Sequence, residues 1–180
     1  MINAHTLCKN ELNIIGILAM NYYKKGSIGN YKWNVENFVI LKNLLKQTVF
    51  AVLNAYIKTG FIHGDLHCDN ILIKDKRVCE IDYCYKKLPI NTFEVRIMDF
   101  EKSKLNKNLE FKYVLDNISK LFNSVADNDR YLIKIYYKNG MFRKMKNQII
   151  MENINAYSIN ETHYNILETI IESFYIEYEK

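Results

Sequence analysis

A chain of 180 residues, 49% hydrophobic, with one Pro and six Gly, can bury a core as one domain or as part of a larger one, and its composition excludes a disordered or low-complexity protein. The formal charge of +5 is mild: it suits an acidic ligand such as a nucleotide, while basic residues spread along the chain without an aromatic-interleaved array argue against nucleic acid. The four Cys (Cys8, Cys68, Cys79 and Cys84) form no Cys-x-x-Cys pair, and no secretory signal or bilayer-length apolar run is seen, so reduced thiols in a cytoplasmic setting, with no membrane partner, are expected.

Residues 1–10 carry no pattern. The apolar run Asn13–Tyr23, followed by Lys24-Lys25-Gly26-Ser27-Ile28-Gly29, predicts a buried strand entering a Gly-bearing turn. Asn34 to Thr59 predicts a long helix capped by Asn34 and ended by Gly60, with Val35, Phe38, Leu41, Leu45, Val49, Val52 and Tyr56 on one apolar face. The stretch Phe61–Ile73 then reads as a polar loop wedged between that helix and an apolar strand. Ile71–Lys74 and Val78–Asp82 predict two strands around Asp75-Lys76, and Leu88-Pro89-Ile90-Asn91 is expected to break the chain. Phe93–Met98 predicts a third strand, with Val95 and Ile97 on one face and Glu94 and Arg96 on the other, ending at Asp99-Phe100-Glu101. Beyond it, helices are expected at Tyr113–Val125, Asp129–Lys138, Phe142–Glu152 and Asn160–Tyr178. Their aromatic stripes read as core and His163 as a surface or core residue; the Lys-rich run Lys102–Lys112 reads as a solvated loop, with contact to an acidic substrate or phosphate as the alternative.

The polar loop holds His63, Asp65 and Asn70 in the pattern His-x-Asp-x-x-x-x-Asn, and Asp99 follows the third strand. This spacing resembles the catalytic loop of the protein-kinase-like superfamily, with Asp99-Phe100-Glu101 standing where that family has Asp-Phe-Gly. The resemblance implies an α+β protein-kinase-like fold, mostly the helical C-terminal (lower) lobe with a small β-hairpin, and an ATP- and magnesium-dependent phosphotransferase. Asp65 would orient the acceptor hydroxyl and take its proton, while Asn70 and Asp99 would hold Mg2+ against the phosphates. Oxygen donors suit that hard cation and thiols do not, which leaves Cys68 a bystander. Ala19-Met20-Asn21-Tyr22-Tyr23 resembles the strand and hinge whose backbone binds adenine, with Met20 at the gatekeeper position. Nucleotide contacts are therefore expected from Met20, Asn21, Tyr22, Tyr23, Asn70 and Asp99. The same resemblance makes His63 structural, and expects Asp116 to accept backbone hydrogen bonds from the catalytic loop.

Tyr83–Tyr85, Leu88-Pro89-Ile90-Asn91-Thr92-Phe93 and Val95–Phe100 resemble the long hairpin of protein kinase-like proteins of large DNA viruses, which favours a serine/threonine protein kinase-like protein in host cytoplasm or virion. His67 and Glu101 depart from the protein-kinase pattern and resemble choline- and aminoglycoside-type kinases, the alternative, together with a catalytically inactive kinase-like scaffold. On this alignment residues 1–30 are a remnant of the upper-lobe strand and hinge, and residues 31–180 are the C-terminal lobe. The glycine-rich loop and ATP-binding Lys would precede residue 13, so a truncated protein, or an upper lobe supplied by another chain, is expected. The expected partners are ATP and a protein substrate with a hydroxyl acceptor. A rival reading takes His63, His67 and Cys68 as zinc ligands, against which stand Gly60, Gly64 and the missing Glu of His-Glu-x-x-His.

Overall fold

The structure, a computed structural model, describes residues 2–9, 15–76, 79–90, 92–106, 108, 110–152 and 154–177. Among the described residues it is a mixed α/β arrangement of four helices and five two-stranded antiparallel sheets. Strand β1 (Ile2–Lys9) pairs with β2 (Ile15–Asn21), so the stretch without sequence pattern is a strand after all. Asn13 and Ile14, expected to open that second strand, lie outside the described residues. After Tyr23 the chain turns, with the Gly26 amide donating to the Tyr23 carbonyl at 3.0 Å. No full helix follows; Ile28–Asn30 form one 3-10 turn, over which the Trp33 indole donates to the Ile28 carbonyl at 2.8 Å.

Helix α1 (Phe38–Thr59) is the centre of the core. It starts later than Asn34 because Asn34 and Asn37 satisfy each other: each backbone amide donates to the other's side-chain oxygen, at 2.8 and 3.0 Å. Val35 therefore lies outside the helix and is exposed, while Phe38, Leu41, Leu45, Val49, Val52 and Tyr56 are buried. Gly60 ends the helix with φ 72, a left-handed conformation in which its amide caps the Tyr56 carbonyl. By length and composition α1 could cross a bilayer, and 56% of that apolar window is buried inside the protein. Its polar residues are used too. Lys46 pairs with Glu168 and Glu172 at 3.0 and 2.6 Å.

Strand β3 (Phe61–Ile62) follows α1, then a 3-10 turn at Cys68–Asn70, and then β4 (Ile71–Asp75). Next come β5 (Cys79–Asp82), β6 (Lys87–Ile90) and β7 (Phe93–Ile97). Leu88-Pro89-Ile90, expected to break the chain, is instead the partner of β5. Pro89 is tolerated because a two-stranded ribbon consists of edges, and its carbonyl still accepts from Asn43 at 3.1 Å. β4 pairs with β7. The Gln47 side chain of α1 extends this ribbon: its Nε2 donates to the Phe93 carbonyl and its Oε1 accepts the Val95 amide, at 2.8 and 3.1 Å. Glu94, expected on an outer face with Arg96, is buried and held by Arg96 and Lys76 at 2.6 and 3.2 Å.

After β8 (Lys104–Leu105), paired with β3, come α2 (Lys112–Ala126), β9 (Lys134–Tyr136), α3 (Asn139–Met151), α4 (Glu161–Glu172) and β10 (Tyr175–Glu177). The helix expected at Asp129–Lys138 is thus a turn and β9, and the last helix stops at Glu172. Both changes have one cause. Lys134-Ile135-Tyr136 alternates exposed, buried, exposed, and pairs with β10 so that Tyr136 stacks on Tyr175 with ring centroids 5.6 Å apart. Asn160 caps α4 with His163 completing the capping box.

Candidate active site

The loop after β3 and the segment leaving β7 are locked together by one buried ring. His63 is fully buried. Its Nδ1 accepts the Asp65 amide at 3.3 Å, which leaves Nε2 as the protonated nitrogen, donating to the Met98 carbonyl at 2.9 Å. The Met98 amide in turn donates to the Asn70 carbonyl at 3.0 Å, and Asn70 Nδ2 donates to the Asp65 carbonyl at 3.0 Å. Asp65, Asn70 and the residue preceding Asp99 are therefore tied by a continuous set of hydrogen bonds through two backbone segments distant in sequence.

Burial pushes the His63 imidazole below its ordinary pKa, and burial does the same for His163. The unfolded chain takes up protons on these rings near pH 6.5, before the folded protein does. Their contribution to stability is complete above that pH and is lost as pH falls towards the depressed folded values. The urea midpoint is expected to be higher at about pH 7.5 than at about pH 5.5, and His163→Gln should shrink the difference. Equal midpoints at the two pH values would contradict neutral buried rings.

Asp99 has φ 62 and is the one non-glycine residue with positive φ among the described residues. Asp tolerates this conformation better than most side chains, and such backbone outliers concentrate at functional sites. Its carboxylate is exposed, as is the Phe100 side chain, whose ring meets Phe61 and His63 at 5.9 and 5.5 Å. Gly64 has φ 83, and a Cβ there would lie 2.2 Å from the Lys102 carbonyl oxygen. The two segments thus approach so closely that only glycine fits.

Asp65 itself is held by two cations. Lys102 Nζ lies 2.7 Å from Oδ2, and Lys120 of α2 binds Oδ1. The Lys102 hydrogen bond first, then that of Lys120, keeps the Asp65 carboxyl well below the usual carboxylate range. The sequence points to neither cation as a partner of Asp65: Lys102 sits in a run whose preferred reading is a solvated loop, and Lys120 carries no local signal.

The loop is anchored from behind by the end of α2 and the segment after it. The Cys68 amide donates to Ser124 Oγ at 2.9 Å, and its Sγ lies 3.3 Å from the Ser124 carbonyl. Ser124 does what was expected of Asp116, which is exposed and pairs with Lys146 instead. Asp69 joins Arg130 at 2.7 Å, and Arg130 also donates to Asn30 at 2.7 Å. Met20 and Asn21 end β2, paired with Asn3 and Ile2, and Tyr22 is exposed. The turn after Tyr23 is tied to β4, where the Ile73 amide donates to the Gly26 carbonyl at 2.9 Å, three residues beyond Asn70.

Magnesium is commonly held by one or two protein oxygens together with substrate phosphates. The donors here fit that demand: Asn70 gives its Nδ2 to Asp65, leaving Oδ1 free of that bond, and Asp99 forms no ion pair among the described residues. The zinc alternative does not fit. Both His63 nitrogens are engaged, and no group of three His, Cys, Asp or Glu among the described residues could hold a metal ion.

Residues 10–136 match the ABC1 atypical kinase-like domain. The chain belongs to this family. The ABC1 match runs from β2 through the Asp65 loop and Asp99 to β9, so it includes Asp65, Asn70, Asp99 and the residues of α2 that hold their loop. The chain is also 35% identical over 77 residues to "Uncharacterized protein 098R" of Invertebrate iridescent virus 6, an alignment covering 38% of this chain and 13% of that protein. The chain therefore spans only a small part of that viral relative's length. No solved structure matches it significantly.

Proposed function

We propose that this ABC1-type chain is an ATP- and magnesium-dependent phosphotransferase acting on hydroxyl groups of proteins, resembling the lower lobe of a protein kinase, with residues 1–30 as the hinge side and 31–180 as the catalytic side. The observation that carries this reading is the bonded set linking Asp65, Asn70 and Met98-Asp99, because phosphoryl transfer asks a protein mainly to position an acceptor and metal-bound phosphates together. In this assignment Asp65 accepts the acceptor's proton. Asn70 Oδ1 and the Asp99 carboxylate would hold magnesium, which supplies charge neutralisation on the phosphates. The β2 end at Met20 and Asn21, with Tyr22 and Tyr23, supports adenine binding: β2 pairs on one edge only among the described residues, leaving backbone groups on the other edge.

His67 and Glu101 favour a second reading, a small-molecule kinase. The experiment is transfer of γ-labelled phosphate from ATP to a generic protein, to choline and to an aminoglycoside. Label on protein is the expected result. Label only on a small molecule would move the acceptor class, and label on none of them, with nucleotide still bound, would favour a kinase-like scaffold.

A further inference from the structure

The residue two beyond Asp65 is His67, and the cations that meet Asp65 come from outside its loop. We propose that Lys102 and Lys120 are the residues that contact the transferred phosphoryl group, an inference that rests on the phosphotransferase reading above. Lys102 comes from the turn after Asp99-Phe100-Glu101, and Lys120 from the middle of α2. Both meet the same carboxylate, Lys102 at 2.7 Å from Asp65 Oδ2 and Lys120 on Oδ1.

Three features argue for a ligand-directed pair over a purely structural one. Their side chains are 64% and 52% exposed, whereas that of Asp65 is 14% exposed, so the ammonium groups stand on the open side of the carboxylate. An ammonium has three donors, and one shared carboxylate leaves donors on both cations for an anion. Lys102 also lies within electrostatic reach of Asp99 and Glu101, so its charge serves the carboxylate assigned to the metal as well as Asp65. Exposed ion pairs contribute little to stability, so such a pair is poorly explained as a fold-stabilising device.

The exchange balances. An acceptor hydroxyl reaching Asp65 displaces an ammonium from one carboxylate oxygen, and the displaced ammonium turns to the phosphate oxygens. The bond between γ-phosphorus and the bridging oxygen breaks, ADP leaves with that electron pair, the acceptor oxygen bonds to phosphorus, and its proton goes to the Asp65 carboxylate.

The test uses the full chain and measures binding of ATP and ADP, each with magnesium, to wild type, Lys102→Met/Lys120→Met and Lys102→Arg/Lys120→Arg. Both positions are exposed, so folding should survive, and melting curves check it. The Met pair is expected to lose about tenfold or more in ATP affinity while ADP affinity stays within about twofold, with the Arg pair restoring the preference, because charge-assisted bonds to the terminal phosphate are absent in ADP. Equal effects on both nucleotides, or none on either, would overturn the proposal while leaving the phosphotransferase reading intact. Wild type binding neither nucleotide would overturn both.

Discussion

Replacing Asp65 with Ala is expected to abolish transfer of the γ-phosphoryl group while leaving the fold intact. Removing a general base typically costs about 10²–10⁴ in rate, and here no second carboxylate shares the loop position, since Asp69 is engaged by Arg130. The fold should persist because the structural bonds of this residue are made by its backbone. The amide donates to His63 Nδ1 and the carbonyl accepts from Asn70 Nδ2, and Ala keeps both. What Ala removes is a pair of contacts to two exposed lysines, which at such exposure contribute little to stability. Label transfer falling to background with an unshifted melting temperature is the expected outcome. Equal label from both proteins would remove Asp65 from the chemistry.

Gly64→Ala is expected to damage stability and site together. The position has φ 83, and the added Cβ would lie 2.2 Å from the Lys102 carbonyl oxygen and 2.9 Å from its carbon. These are backbone atoms, so no side-chain rotation relieves the clash. The left-handed conformation costs a β-carbon about 1–2 kcal/mol and overpacking about 1–3 kcal/mol more, so a loss of roughly 2–5 kcal/mol is expected. For a chain of this size that lowers the melting temperature by on the order of 10 °C. The segments carrying Asp65 and Asp99 would also be forced apart, weakening the His63–Met98 bond and magnesium-dependent nucleotide binding. Wild-type melting with wild-type binding would show that the two segments do not approach as described.

The parts of the candidate site that the sequence points to are those whose geometry is local. His63, Asp65 and Asn70 share one loop, and Asp99 follows a strand whose alternation was readable. α1, α2 and α3 were found within a few residues because a helix repeats its apolar face over many turns. The failures arise where distant segments decide the outcome. Lys120 lies 55 residues from Asp65, Ser124 lies 56 from Cys68, and Arg130 lies 61 from Asp69, and no spacing rule reaches that far. β9 and β10 are three residues each, too short for a pattern until paired, and what reads as helix on either side of them ends where they meet. Pro89 misled for a related reason: its meaning depends on whether its strand has a neighbour on that side. Glu94 reads as an outer-face residue, and only the arrival of Lys76 and Arg96 makes its burial tolerable.

The most direct measurement is calorimetric titration of ATP into wild type and Asp99→Asn, with magnesium and with the metal chelated. Asp99 and Asn70 acting together on a phosphate-bound cation require that wild type bind ATP only when magnesium is present, and that Asp99→Asn lose that dependence along with most of the affinity. Binding that is the same with and without the metal, or unchanged by the substitution, would contradict a shared metal position at this loop.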